Sequence, residues 1–296
     1  MPKMFANTIC VFGCQRPSSP KGEHVWPYWV LEMFTDSDGP CRVEINGQPV
    51  LKRDGRVRQY TSITKVRMPC CEECNRELNR RFEQHPRLVI QKMLDADGGV
   101  VLGSEEAELF GLWWLKTMLL LSHPDTKETA VGVNPNRWDL AEVPDDLYSW
   151  MVTGEPPPSG LSVWFSRQST AGCREESKPV EICLPTVIAD GRRATFMARQ
   201  AGLKFCAATL VYHPGWPIEY PPEASSGAAV RIWPPSETNL DLTSLRELDR
   251  WPVRWVPGPV LNFMDGAYGS VSLPPLQNLL RVETVPGVLF AAAPGF

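Results

Sequence analysis

An α+β fold follows from three features of this chain. They are two close cysteine pairs, Cys10 with Cys14 and Cys71 with Cys74, an apolar run from Leu109 to Leu121, and a series of short alternating runs beyond Leu161. Thiolates at such spacing can close one tetrahedral site on a soft metal ion, which ties the first part of the chain into a compact unit. The apolar run has helical length, and the short runs between prolines have strand length. Three segments result: residues 1–95 as a metal-closed unit, 96–155 as a helical connector and 156–296 as a β-rich domain.

A chain of 296 residues with 43% hydrophobic and 22% charged residues has the composition of ordinary folded domains. The apolar run is broken by Lys116 and falls short of the roughly 20 residues that cross a bilayer, so no membrane span is expected. Met1 to Thr8 lacks the apolar stretch and cleavage site of a secretory signal. The nine cysteines then read as thiols or metal ligands of a cytoplasmic protein, where disulfides are rare. The net charge of −4 argues against a general polyanion binder. The charge is uneven, however: residues 1–90 hold 14 Lys and Arg against 10 Asp and Glu, and the remainder 16 against 24. Phosphate contacts are therefore expected in the N-terminal part, from Arg76, Arg80 and Arg81 after the second cysteine pair and from Lys52 and Arg53 on a hairpin. A solvated helix face explains any one of these arginines equally well.

In chain order, residues 6–14 read as a short strand entering a tight turn. There Gly13 accommodates a C-x3-C spacing one residue longer than the usual knuckle. Gln15 to Gly22 is a loop by its prolines, serines and glycine. Glu23 and His24 precede an apolar aromatic run, and from Cys41 to Pro69 alternation around Asn46-Gly47 predicts hairpin strands. The second cysteine pair opens a helix in which Leu78, Phe82 and, past Pro86, Leu88, Val89 and Met93 follow helical spacing. After a loop at Asp95 to Gly103, Ser104-Glu105-Glu106 supplies a cap and first-turn acids for a helix over Ala107 to Ser122. Being apolar nearly all round, this helix is expected to be buried on more than one side. A shorter helix is expected over Pro144 to Met151, and a rigid linker at Gly154 to Gly160. Strands are expected at Leu161 to Phe165, Val180 to Ile188, Ala194 to Ala198, Leu203 to His213, Ala229 to Trp233, Val253 to Trp255 and Val260 to Phe263. From Leu276 onward no element is assigned.

A knuckle, a hairpin and a helix bearing the second cysteine pair follow one another in the order of a treble-clef zinc fold. Glu23, His24 and Asn75 stand beside the cysteines in sequence. Phosphodiester hydrolysis needs oxygen ligands that hold a divalent cation against the phosphate, and a base that deprotonates water. His24 suits the base because its unperturbed pKa lies near neutrality. Glu23 and Asn75 offer hard oxygens to Mg²⁺ or Mn²⁺, whereas the thiolates select Zn²⁺. Two metals with separate roles are expected, a structural zinc and an exchangeable catalytic cation.

The segments CVFGC, EHVWPYW and CEECN, with Glu83 downstream, resemble the HNH nuclease superfamily in its ββα-metal, treble-clef form. Within it they are similar to an uncharacterised bacterial subgroup with a zinc knuckle, an EH-x-x-P segment and CxxCN. The resembling motifs span residues 10–83, and Trp113 to Thr117 and Arg231 to Pro234 also look like that subgroup's longer members. The resemblance implies Cys10, Cys14, Cys71 and Cys74 as structural zinc ligands and His24 as general base. It implies Glu23 and Asn75 as holders of the catalytic cation, and Glu83 as a further ligand or the support of His24, with His85 as the alternative. The implied activity is that of a metal-dependent endonuclease on nucleic acid, double-stranded DNA ahead of RNA, in a setting of phage defence or restriction. Homo-oligomerisation stays open. Two departures stand out: Asn75 follows CxxC where the superfamily has its last histidine, and Cys70 can replace Cys71 as a ligand.

A non-catalytic zinc adaptor that binds nucleic acid or a protein partner is the competing function. The intact Glu23-His24 pair with Asn75 separates the two, since an adaptor needs none of them. Cys41, Cys173, Cys183 and Cys206 lack partners at ligand spacing and read as small core residues. Trp216, Trp233, Trp251 and Trp255 read first as core and second as a base-stacking surface.

Overall fold

The computed structural model describes residues 8–32, 41–42, 44–45, 48–49, 54–56, 59–60, 66–123, 125–128, 146–169, 181–189, 192–203, 205–212, 227, 229–235, 238–248, 254–255 and 261–262. Helices and strands mix in an α+β chain that forms two compact units, residues 1–85 with 119–158 and residues 86–118 with 159–296. Each unit is made of two separate stretches of the sequence.

In the first unit the chain opens on the cysteine-bearing turn. An Ile9–Pro17 bridge closes it, and the Ser18 amide donates to the Thr8 carbonyl at 2.7 Å. Next come β1 (Glu23–His24) and α1 (Tyr28–Glu32), then four short strands, β2 (Cys41–Arg42), β3 (Glu44–Ile45), β4 (Gln48–Pro49) and β5 (Gln59–Tyr60). β2 pairs with β5 and β3 with β4, both antiparallel, as the Asn46-Gly47 signal predicts. β6 (Val66–Met68) lies antiparallel between β1 and the later strand β8 (Lys127–Glu128).

Helix α2 (Glu72–Asn79) leaves β6 through Pro69, Cys70 and Cys71. Cys71 caps it by accepting from the Cys74 amide at 3.5 Å, and Glu72 and Glu73 complement the positive end of the helix dipole. A π-helical turn, Arg80–Gln84, then joins α2 to α3 (Arg87–Asp95). Pro86 accounts for this turn, because it has no N–H to continue the α-helical ladder and a wider turn takes up the break. The core of the unit gathers Val25, Trp26, Met68, Leu78 and Phe82 with Leu147 and Trp150 of α5 (Asp146–Thr153). Phe82 meets Trp150 edge to face with centroids 5.6 Å apart.

The second unit is built on α4 (Ser104–Ser122), whose residues through Met118 belong to it. Glu106 turns back to accept from the Gly103 amide at 3.0 Å, half of a capping box, and pairs with Lys92 of α3. The helix is buried nearly all round, as its composition predicts, with Phe110, Trp113, Trp114, Leu115 and Met118 inaccessible. Its sheet runs in the order β10 (Glu181–Ala189), β11 (Arg192–Leu203), β12 (Cys206–Tyr212), β9 (Leu161–Gln168), β13 (Val230–Trp233), antiparallel throughout. The short run expected at Ala194 to Ala198 is part of one longer strand that reaches Leu203. β15 (Glu247–Leu248) adds a parallel pairing at the end of β9. β7 (Val101–Leu102) pairs with β14 (Leu240–Asp241), and β16 (Arg254–Trp255) with β17 (Leu261–Asn262). No helix among the described residues is long and apolar enough to cross a membrane.

Phe165 of β9 packs edge-on against Phe110 of α4 at 5.3 Å. Close approach of α4 to β13 is possible only because residue 111 is glycine: a Cβ there would overlap the Ile232 carbonyl oxygen and press on the Trp233 ring. Gly111→Ala is therefore expected to cost about 1–3 kcal/mol, the usual penalty of overpacking. Thermal unfolding of the full chain reads this as a lowered midpoint, and an unchanged midpoint would show that α4 and β13 part freely.

Candidate metal centre and active site

The two cysteine pairs meet because the knuckle is hydrogen-bonded to the chain that leads into α2. The Val11 amide donates to the Pro69 carbonyl at 3.1 Å and the Ser19 amide to the Cys70 carbonyl at 2.8 Å. Gly13, at φ 73°, makes the turn that brings Cys14 back beside Cys10. The ligand atoms of Cys10, Cys14, Cys71 and Cys74 all lie within 4.8 Å of one another. Zinc–sulfur bonds of about 2.3 Å in a tetrahedron place sulfurs about 3.8 Å apart, and the Cys14 and Cys71 sulfurs are 3.7 Å apart. Four such sulfurs can hold a metal ion such as zinc.

Cys70 stands outside this group. Its thiol is buried and lies 3.3 Å from the Cys71 carbonyl oxygen. A hydrogen bond from Cys70 chiefly, aided by backbone hydrogen bonds of Cys71 and Phe12 against the cost of burial, pushes the Cys10 thiol down to about 5. Burial first and the neighbouring sulfurs second raise Cys74, and burial raises Cys14. Without a metal only part of the cluster favours ionisation. A cation bound by all four sulfurs would favour the ionised form of each and remove the conflict. Purified protein is expected to carry about one zinc per chain by elemental analysis, and Cys70→Ser is expected to keep it; loss of zinc in that variant would make Cys70 a ligand.

His24 and Glu23 sit on β1, in register with Arg67 and Met68 of β6. The His24 Nδ1 is buried with no hydrogen-bond partner among the described residues. Burial first, then the Arg67 guanidinium, hold its pKa below 6.5 and keep the ring neutral. Arg67 donates to the Lys21 carbonyl at 3.2 Å, and Lys127 of β8 stands in register with it on its other side. The alternating Val66-Arg67-Met68 triplet carries the only sequence signal that Arg67 faces outward beside His24, and it is too short to single that residue out.

Asn75 lies one residue past Cys74 in the first turns of α2, half-buried, and Glu83 lies in the π-helical turn. Among the described residues Glu23, His24 and Glu83 do not form a second group of three close metal ligands, and His85 is exposed. Arg76 is exposed, Arg80 pairs with Glu77, and Arg81 donates to the Trp150 carbonyl at 2.6 Å while lying over the Phe82 ring. Lys52 and Arg53 lie outside the described residues, as do Cys173, Trp216 and Trp251. Cys206 is a buried core residue as expected. A cleft of about 660 Å³ opens beside the cysteine group, with Cys14 and Cys74 in its wall and Arg16, Glu73, Asp146 and Ser149 around it. Arg16 and Glu73 form an ion pair there. Compared with known proteins, the chain matches no family model, no curated protein and no solved structure.

Proposed function

We propose that the first unit is a zinc-supported, metal-dependent endonuclease domain of the ββα-metal, treble-clef type, acting on nucleic acid, DNA ahead of RNA. One observation carries the reading. The strand with Glu23 and His24 lies antiparallel to β6, β6 leads directly into the helix with Asn75, and both ends of this motif are fixed to the four-sulfur group. A nuclease of this kind needs a neutral base on a strand and hard oxygens on the helix that follows it.

In this reading His24 accepts the proton of the attacking water, and its burial keeps it in the accepting form. Arg67, next to it in the sheet, contacts a phosphate oxygen and orients the strand to be cut. Glu23 and Asn75 hold Mg²⁺ or Mn²⁺, which supplies charge stabilisation at the phosphate. With no second acid cluster among the described residues, water and phosphate oxygens complete its shell, as is common for Mg²⁺. Glu83 serves as the further support that the resemblance implies.

The test is incubation of purified full-length protein with plasmid DNA and with RNA, with and without Mg²⁺ or Mn²⁺. Cleavage that requires the cation supports the reading, and no cleavage of either substrate favours the zinc adaptor. The adaptor draws on a specific feature too, because Arg80 and Arg81 are engaged within the unit and less free for phosphate.

A further inference from the structure

The sheet β1–β6–β8 of the first unit carries one row of positions across its three strands. His24 of β1 stands opposite Arg67 of β6, and Arg67 stands opposite Lys127 of β8. Residues opposite one another in an antiparallel pair share a face, so these three positions lie side by side on one face of the sheet. The alternate positions take the other face, with Glu23 opposite Met68 and Val66 opposite Glu128. Met68 is inaccessible, which marks that other face as the core side, and the acids of these strands, Glu23 and Glu128, belong to it.

The face with the row reaches the surface. His24 and Arg67 are half-buried, and the Arg67 guanidinium donates to the Lys21 carbonyl at 3.2 Å in an exposed hydrogen bond. A guanidinium carries five N–H donors, and this bond occupies one of them. Lys21 is itself exposed. Three cationic residues, Lys21, Arg67 and Lys127, therefore come together where these strands place no acid. Helix α2 and the turn after it differ in this respect, since Arg80 is tied to Glu77 and Arg81 to the Trp150 carbonyl.

We propose that this sheet face, and not the arginines that follow the second cysteine pair, is the track of the nucleic-acid backbone: the phosphate to be cut lies on Arg67 beside His24, and the next lies on Lys127, with Lys21 flanking them. Spacing supports the match. Arg67 and Lys127 stand one strand separation apart, about 4.8 Å, and each strand of a duplex carries one phosphate per about 3.4 Å of axis. Two long cationic side chains at that separation suit neighbouring phosphates of one strand. A single small anion would engage one cation and leave the others idle, whereas a repeating polyanion engages the row. Lys127 enters from beyond α4, so no local motif of the sequence contains it. The inference rests on the nuclease reading for the place of the cut phosphate.

The experiment is equilibrium binding of a short duplex DNA to the full chain over a series of salt concentrations, with no Mg²⁺ or Mn²⁺ added so that the strand stays whole. Lys127→Gln and Arg67→Gln are each expected to weaken binding and to reduce the slope of log affinity against log salt by about 0.9, the value of one phosphate contact on a duplex. Lys127→Arg and Arg80→Gln are expected to keep the wild-type slope. An unchanged slope in Lys127→Gln overturns the proposal, as does a wild type that does not bind the duplex. A larger loss in Arg80→Gln than in Lys127→Gln would return the backbone to the helix and overturn it equally. Cleavage with added cation, measured separately, tells the two readings apart. A chain that cuts DNA but keeps its slope in Lys127→Gln retains the nuclease reading and loses this track. Slopes that fall as expected in a chain that cuts nothing keep the binding track and remove the nuclease.

Discussion

On the proposed nuclease reading, His24→Ala is expected to lower cation-dependent cleavage by about 10²–10⁴-fold, the loss that follows removal of a positioned general base. Any zinc content and DNA binding are expected to stay at the wild-type level, because His24 is not one of the four clustered residues and, in this reading, does not contact the phosphate. Cleavage by the variant at the wild-type rate would remove His24 from the mechanism. The pH profile supplies a second readout. His24 is held below its ordinary pKa of 6.5 by burial and by Arg67, so the active form persists at neutral pH and the acid limb of the rate lies below 6.5. Arg67→Gln raises that limb but leaves it under 6.5, since burial is the larger cause. The same depression has a stability consequence with a definite sign. The unfolded chain takes up the proton first as pH falls, so this contribution is fully present above 6.5 and is lost as pH drops below it.

On the proposed zinc-supported fold, Cys71→Ser is expected to remove zinc and unfold the first unit. Structural zinc in small domains is worth apparent free energies of about 10–16 kcal/mol at neutral pH, more than the about 5–15 kcal/mol by which whole domains are stable. Cys71 has two roles, since its sulfur belongs to the metal group and also caps α2. The measurements are zinc per chain and the fluorescence of Trp26, Trp29 and Trp150, all buried in that unit. A strong chelator added to the wild type should give the same spectrum. A variant that keeps zinc and a native spectrum would mean that three sulfurs with water, or Cys70 as substitute, are enough. On the proposed nuclease reading Asn75 serves the catalytic cation, so activity lost in Asn75→Ala is expected to recover in part when Mg²⁺ or Mn²⁺ is raised, because occupancy is what the change would lower.

The cysteine group was legible because ligand chemistry and spacing are local properties of the sequence. The same holds for α4, where an acid-rich first turn precedes a long apolar run, and for β9 to β13, where apolar stretches alternate with prolines. Other features depend on contacts between distant residues and left no local trace. β7 and β14 are two residues each and hold only by pairing across the chain. Arg81 looks like a free cation in sequence, and only the placement of Trp150 shows its carbonyl partner. The Glu77–Arg80 pair was readable, since three residues is one helical turn. Pro86 announced a break in the helix but not that a π-helical turn would absorb it.

The division of the first unit between residues 1–85 and 119–158 has a consequence for synthesis on the ribosome. The last of the four clustered cysteines, Cys74, emerges well before α5, whose residues Asp146 and Ser149 flank the cleft beside it. At roughly 5–20 residues per second, the thiols wait on the order of 4–16 s for that cover. During the wait they are open to the cell's metals and oxidants. On the proposed zinc-supported fold, early metal capture would guard the nascent chain, and cells starved of zinc are expected to accumulate protein with oxidised cysteines.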